Sequence, residues 1–305
     1  MPLLVSLPLR LLLSALGLAA AALPRGLEVR LGRALGRAML RLGLFRHRVA
    51  KANIDLALPE FSSSAREQLL ADNYEHYGIL FFEFAHFFCP LPGHWRRYAQ
   101  ENSRLVNRHL WEQAAAKGRG VLFFSSHMGM WEMSAAAAGL AGLKPVVVTK
   151  VLKPAWLDRR ITACRASTEV TAAYHPGSMP AVLRALRKGG SAAFMNDQYA
   201  RPPMGLPVDF FGQNVDTLSV IGPLAKRTGA AVVPVSTLRG RDGIVTVLIE
   251  PELDLGACAD DAEAATQLIA KHVEGWVRQE PAQWLWLHRR FKNAVPAPAR
   301  VPELK

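Results

Sequence analysis

Residues 120–132 read GVLFFSSHMGMWE, and this stretch decides the fold. The short apolar run from Val121 to Ser125, entered from Gly120, has the length and composition of a buried strand. Gly129 keeps the next turn open, and a helical pattern follows from Trp131 to Gly139. A strand passing through a turn into a helix is the opening of an α/β unit.

The same alternation continues on both sides. Upstream, a helix is expected from Leu105 to Ala116, stopped by Lys117-Gly118. Downstream, Pro145 to Thr149 reads as a strand. Ser178 caps a helix that ends at Gly189-Gly190, and Ala192 to Met195 is the next strand. Residues 218–228 form a helix, Ala231 to Ser236 a strand, and Gly243 to Glu250 a strand entered by the turn Gly240-Arg241-Asp242. Asp261 can cap a helix from Ala262 to Gln279, and WLWLH (284–288) reads as a last strand. The expectation is an α/β fold over 104–292, a largely parallel sheet flanked by helices, followed by a Pro-rich extended tail at 293–305.

The N-terminal third differs. Between Pro2 and Pro24 Arg10 is the only ionisable side chain, and LLVSLPLRLLLSALGLAAAAL (3–23) approaches the length of a bilayer span. Arg25, Arg30, Arg33, Arg37, Arg41, Arg46, Arg48 and Lys51 follow at once, against Glu28 alone. A cleaved signal peptide is the competing reading, with small residues at Ala19 to Ala22 but no Lys or Arg before the apolar run. The charge excess behind it keeps the flank cytoplasmic, so 1–24 is read as an uncleaved membrane anchor, with a tilted or interfacial helix as a further reading because of Arg10. Residues 25–103 are read as a helical membrane-proximal region. Within it, Arg30, Arg33, Arg37 and Arg41 share one face of a helix over 27–45 that suits an anionic surface. Ser62 to Ser64 offer an N-cap for an aromatic-rich helix carrying Phe81, Phe82, Phe84, Phe87 and Phe88.

Lys and Arg number 37 against 25 Asp and Glu, a net charge of +12. Such an excess calls for an anionic partner. Aromatics do not interleave with the basic residues and no nucleic-acid motif occurs, which leaves a membrane surface or an acidic protein. Cys89, Cys164 and Cys258 form neither CxxC nor metal spacing and read as inert thiols of a reducing compartment. No HExxH or Cys/His cluster occurs, so no metal or other cofactor is expected.

His127 at a strand-to-helix turn, with Glu132 five residues on, carries the chemistry. If His127 precedes the helix and Glu132 lies in its first turns, Glu132 accepts from one ring nitrogen and leaves the other free to take a proton. Ser125 and Ser126 raise a serine hydrolase or thioesterase as a rival, although no GxSxG elbow exists. A non-enzymatic membrane-surface protein built on the basic helix is a second.

SSHMGMWE (125–132) resembles the His-x4-Asp/Glu block of the lysophospholipid-acyltransferase superfamily. Its His-x-Gly-x-Trp-Glu form resembles the lipid A acyltransferase branch, the late lauroyl and myristoyl transferases of lipopolysaccharide synthesis. RVAKANIDLALPEFSSSAREQL (48–69), NDQYARPPMGLPVDFFGQNVDT (196–217), LAKRTGAAVVPV (224–235) and WLWLHRRF (284–291) are similar to further blocks of that family, in its order. Ser126 stands where the family usually has Asn, Asn196 where it has Pro, and Asp216 where it has a small residue.

The resemblance implies that a hydroxyl of a lipid A precursor, an anionic glycolipid, attacks the thioester of an acyl carrier protein directly. His127 would be the base and Glu132 its orienting acid. Arg165 would meet anionic substrate groups and Asp197 would stand behind the site. His288, Arg289 and Arg290 would contact phosphate or form ion pairs, and Lys150, Lys153, Arg159 and Arg160 would form a phosphate-facing loop. Another membrane lipid as acceptor stays open. The implied location is the bacterial inner membrane, with the catalytic part facing the cytoplasm.

Overall fold

The computed structural model describes residues 3–297. Helices α1 (Leu3–Ala21), α2 (Arg25–Arg41), α3 (His47–Ala57), α4 (Ser63–Ala85) and α5 (His94–Asn102) precede the layered part. There the order is β1 (Ser103–Val106), α6 (Arg108–Ala115), β2 (Val121–Ser125), α7 (Trp131–Leu140), β3 (Val146–Lys150), α8 (Ala155–Ser167), β4 (Thr171–His175), α9 (Met179–Arg187) and β5 (Ser191–Met195). A hairpin, β6 (Gly205–Phe210) and β7 (Gln213–Leu218), is followed by α10 (Ile221–Thr228), β8 (Ala231–Arg239), β9 (Val245–Ile249), α11 (Ala262–Gln279) and β10 (Val295–Pro296).

The main sheet has seven strands in the order β1-β9-β8-β2-β5-β3-β4. All neighbours are parallel except β8 and β9, which pair antiparallel. The central strand β2 is buried along its whole length, as its unbroken apolar run requires. Phe124 faces α11, stacking on Trp276 at 5.6 Å between ring centroids, while Phe123 points to the opposite face and lines a cavity beneath α7. Asp261 caps α11 by accepting from the amides of Glu263 and Ala264, worth about 1 kcal/mol.

Several expectations change. The expected helix from Leu105 splits, because Ser103–Val106 becomes an edge strand beside β9, and the helix starts at Arg108. Ser178 is the residue before α9, but its side chain makes no capping hydrogen bond. WLWLH is not a strand. Its carbonyls are taken by helix side chains: the amide of Asn73 donates to Trp284, that of Asn53 donates to Trp286 and His288, and the Tyr77 hydroxyl donates to Trp284. With those acceptors filled, no strand partner is required. Of the tail, Val295 and Pro296 pair with β7, and 298–305 lie outside the described residues.

The N-terminal helices lie against this layer. α2 and α4 meet backbone to backbone, since a Cβ on Gly36 would sit 2.0 Å from the Tyr74 carbonyl oxygen and one on Gly78 would sit 2.0 Å from that of Gly32. The outward face of α2 is the basic one, with Arg30, Arg33, Arg37 and Arg41 exposed. Arg37 also donates to Glu75 of α4 at 2.5 Å. α1 exposes Leu7, Leu9, Leu11, Leu12 and Leu18. Among the described residues, no helix is long and apolar enough to cross a membrane.

Candidate active site

β2 and β5 run parallel with Ser125 opposite Met195, so the chain leaves both strands side by side at their carboxyl ends. In sheets of this kind that edge is where ligands bind. His127 and Asp197 each lie two residues beyond their strand. The ring Nδ1 of His127 is 2.7 Å from Asp197 Oδ1, and the His127 amide donates to Oδ2 of the same carboxylate at 2.8 Å. The Trp284 indole N–H donates to Oδ2 as well, also at 2.8 Å. Asp197 is 2% exposed. Burial pushes its carboxyl up, but the charge and hydrogen bonds of His127 and the Trp284 N–H outweigh that and hold it below the usual carboxylate range.

An ionised carboxylate only accepts, so in the neutral ring Nδ1 carries the proton and Nε2 presents a lone pair. That nitrogen accepts from the Gln198 side-chain amide at 3.3 Å. Both residues line a cavity of about 590 Å3 between α7 and the sheet. Its walls include Phe123, Val147, Ala193, Val235, Val247 and Leu105, each from a different strand. It therefore runs across the sheet as a mostly apolar channel, with the imidazole at its wall.

The sequence reading gives Glu132 the task of orienting His127; the structure gives that position to Asp197. Glu132 lies in the first turn of α7, where it makes a two-pronged ion pair with Arg165 of α8, at 3.0 and 2.6 Å. Burial alone would lower the Arg165 pKa, and the Glu132 carboxylate outweighs it, leaving the guanidinium more firmly charged. Both side chains line the cavity, so Arg165 reaches the site already paired.

The turn carrying His127 is fixed from behind. Gly129 has φ +53°, and a Cβ there would lie 2.7 Å from the Thr237 carbonyl oxygen. Its amide donates to the Gln283 carbonyl, while the Gln283 side chain exchanges two hydrogen bonds with the Arg239 backbone. His76 accepts from the Arg239 guanidinium at 2.7 Å and hydrogen bonds the Gly129 backbone. Arg239 pairs with buried Glu83, which also meets Arg25. Burial keeps the His76 pKa well below the ordinary histidine value, with the Arg239 charge adding to the effect.

The remaining candidates fall elsewhere. Arg290 is 0% exposed, and its guanidinium donates to the carbonyls of Gln198 and Asp216 and to the Thr217 hydroxyl. Burial lowers its pKa to about 10. It therefore holds the chain behind the site and meets no solvent. Arg289 is exposed, outside the cavity wall. Lys150 ends β3 and lines the cavity. Arg159 and Arg160 belong to α8, where Arg160 donates to the carbonyls of Phe87 and Cys89 instead of facing a loop. Gln198 and Trp284 lie within the motif blocks quoted above but carry no separate role there, and nothing in the local sequence marks His76. Among the described residues, no cluster of His, Cys, Asp and Glu is placed to hold a metal ion.

These features define a class: an α/β-layer protein that sets an oriented imidazole against an apolar cavity. The chain belongs to the bacterial lipid A biosynthesis acyltransferase family, whose model matches residues 6–293. It is 27% identical over 278 residues to the lipid A biosynthesis lauroyltransferase of Escherichia coli (strain K12), covering 89% of this chain and 87% of that one. It is also 27% identical over 251 residues to the palmitoleoyltransferase of the same organism, covering 81% and 79%. The crystal structure of the 1-acyl-sn-glycerophosphate (LPA) acyltransferase PlsC from Thermotoga maritima aligns with a TM-score of 0.38 and 14% identity. That alignment covers 86% of this chain and 100% of that chain.

Proposed function

We propose that this protein transfers a fatty acyl group from an acyl carrier protein thioester to a hydroxyl of a lipid A precursor, with His127 as general base. The observation that carries the reading is the imidazole itself: Nδ1 is tied to a buried aspartate and Nε2 opens onto an apolar cavity of about 590 Å3. The acyl chain of the donor occupies that cavity, each buried methylene contributing about 0.8 kcal/mol. The acceptor oxygen attacks the thioester carbonyl carbon as its proton passes to Nε2, and the C=O electron pair moves onto oxygen. Collapse restores the carbonyl and expels the thiolate, which takes the proton from the imidazolium. The products are an ester and a thiol, with no acyl-enzyme.

Ser125 argues against a serine hydrolase, because it donates its hydroxyl proton to the Val235 carbonyl at 2.7 Å. The cavity-side ring nitrogen meets Gln198 and not a serine. We place the protein at the cytoplasmic face of the inner membrane, held there by the exposed leucines of α1 and the arginines of α2. The test is transfer of labelled acyl groups from acyl carrier protein to a lipid A precursor, alongside mass spectrometry of lipid A from cells with and without the protein. His127→Ala should lower turnover roughly 100- to 10,000-fold. A folded variant with near-normal turnover would refute the mechanism.

A further inference from the structure

Acyl transfer from a thioester places negative charge on the carbonyl oxygen at the moment of attack. A base alone leaves that charge without a partner, and in an apolar cavity an unpartnered oxyanion is costly. The wall around His127 Nε2 must therefore offer a donor. Gln198 offers one. Its amide nitrogen is 3.3 Å from Nε2, so it already sits where the attacking hydroxyl and the carbonyl have to meet.

The orientation of the amide follows from the hydrogen bonds behind it. Asp197 takes the proton on Nδ1, so Nε2 is an acceptor, and the Gln198 group facing it must be the NH2 end. The backbone of Gln198 is held on both sides. Asp197 before it is tied to His127 and Trp284, Tyr199 after it bridges to Thr217, and its own carbonyl accepts from buried Arg290 at 3.3 Å. A donor on so constrained a segment needs little reorganisation when charge appears, which is what makes such donors effective.

We infer that Gln198 is a further catalytic residue, whose side-chain N–H stabilises the oxyanion of the acyl-transfer step. Before substrate binds, the amide occupies the lone pair of Nε2. The acceptor hydroxyl takes that place and donates to Nε2. The released N–H then meets the carbonyl oxygen as the π pair shifts onto it, and lets go when the pair returns and the thiolate leaves with the proton from His127. The assignment rests on His127 acting as the base of acyl transfer.

The experiment measures kcat and KM for acyl transfer by the full chain carrying Gln198→Ala, Gln198→Met or Gln198→His, beside His127→Ala, with thermal melts of each. Gln198→Met keeps the length of the side chain and removes both N–H groups; Gln198→His keeps an N–H donor. Loss of an oxyanion donor should lower kcat about 100- to 1,000-fold in the Ala and Met variants, with KM for the acyl donor little changed. Gln198→His should recover a measurable part of kcat. Should the Ala and Met variants, folded as the parent, turn over at the parental rate or faster, Gln198 only covers the ring and the inference is wrong. A rise in KM at constant kcat overturns it too, since that is a ground-state contact. Turnover that survives in His127→Ala instead removes the underlying mechanism, so the two failures are distinct.

Discussion

His127 and Asp197 lie seventy positions apart in the chain, yet their side chains meet at 2.7 Å because β2 and β5 are register neighbours. The acid nearest in sequence, Glu132, is tied to Arg165. Which acid matters for the imidazole is therefore a question of strand pairing, and it can be tested directly.

Asp197→Asn should remove the acceptor-only partner and favour the wrong ring tautomer while leaving the shape intact. We expect a loss in kcat of about 10,000-fold, the scale found when a buried aspartate behind a catalytic histidine becomes asparagine. Steady-state acyl transfer with a circular dichroism control checks it. Retention of most activity would show that Asp197 does not set the tautomer.

Glu132→Gln should act mainly through Arg165. The substitution leaves a guanidinium unpaired in the cavity wall, at a cost of about 3 kcal/mol in stability for a largely buried pair. Glu132→Gln with Arg165→Met should be more stable than Glu132→Gln alone, because the stranded charge is gone. Denaturant melts of the two single variants and the double variant measure this coupling. Additive effects would mean that the pair is energetically idle.

Stability should fall as the solution is acidified through the histidine range. Burial pushes the His288 pKa down to about 4 and holds His76 well below its ordinary value, so both stay neutral in the folded protein. The unfolded chain takes up those protons near the ordinary histidine pKa of about 6.5. The native state is thus favoured fully above that value and loses the advantage as pH falls toward 4. Asp197, depressed when folded, adds a second loss at lower pH, once the solution drops through the ordinary carboxylate range. Tm recorded from pH 7.5 to 4.5 should decline, and less steeply in His288→Gln. A flat profile across pH 6.5 to 5 contradicts this.

Charge reversal on α2 should weaken attachment to anionic vesicles. Arg30 and Arg41 should matter more than Arg37, which is engaged with Glu75. Each free arginine near an anionic surface contributes about 1 kcal/mol. Vesicle sedimentation of the Arg30→Glu/Arg41→Glu chain, with rising salt as the parallel treatment, reads the effect. Equal effects from Arg37→Glu would show that the Glu75 contact does not withdraw that charge.

Features under local chemical control can be read from a single stretch of residues. β2 is legible in Val121–Ser125 because a central strand buried on both faces needs an unbroken apolar run. α11 is legible from Asp261 because an N-cap acts within a few residues. The ordered motif blocks were enough to place the chain in its family.

Features that depend on pairing between distant residues emerge only once the chain is folded. β1 has four residues and no marked alternation; it is a strand only because β9, some 142 residues further on, lies beside it. WLWLH has the pattern of a strand, but Asn53, Asn73 and Tyr77 take its carbonyls and turn it into the support for Asp197. The partner of His127, the pairing of Glu132 with Arg165 and the seat of Gln198 belong with these. A side chain takes the nearest hydrogen-bond partner in space, and in a sheet of order β1-β9-β8-β2-β5-β3-β4 nearness in space is set by strand order and register, which no local stretch of residues encodes.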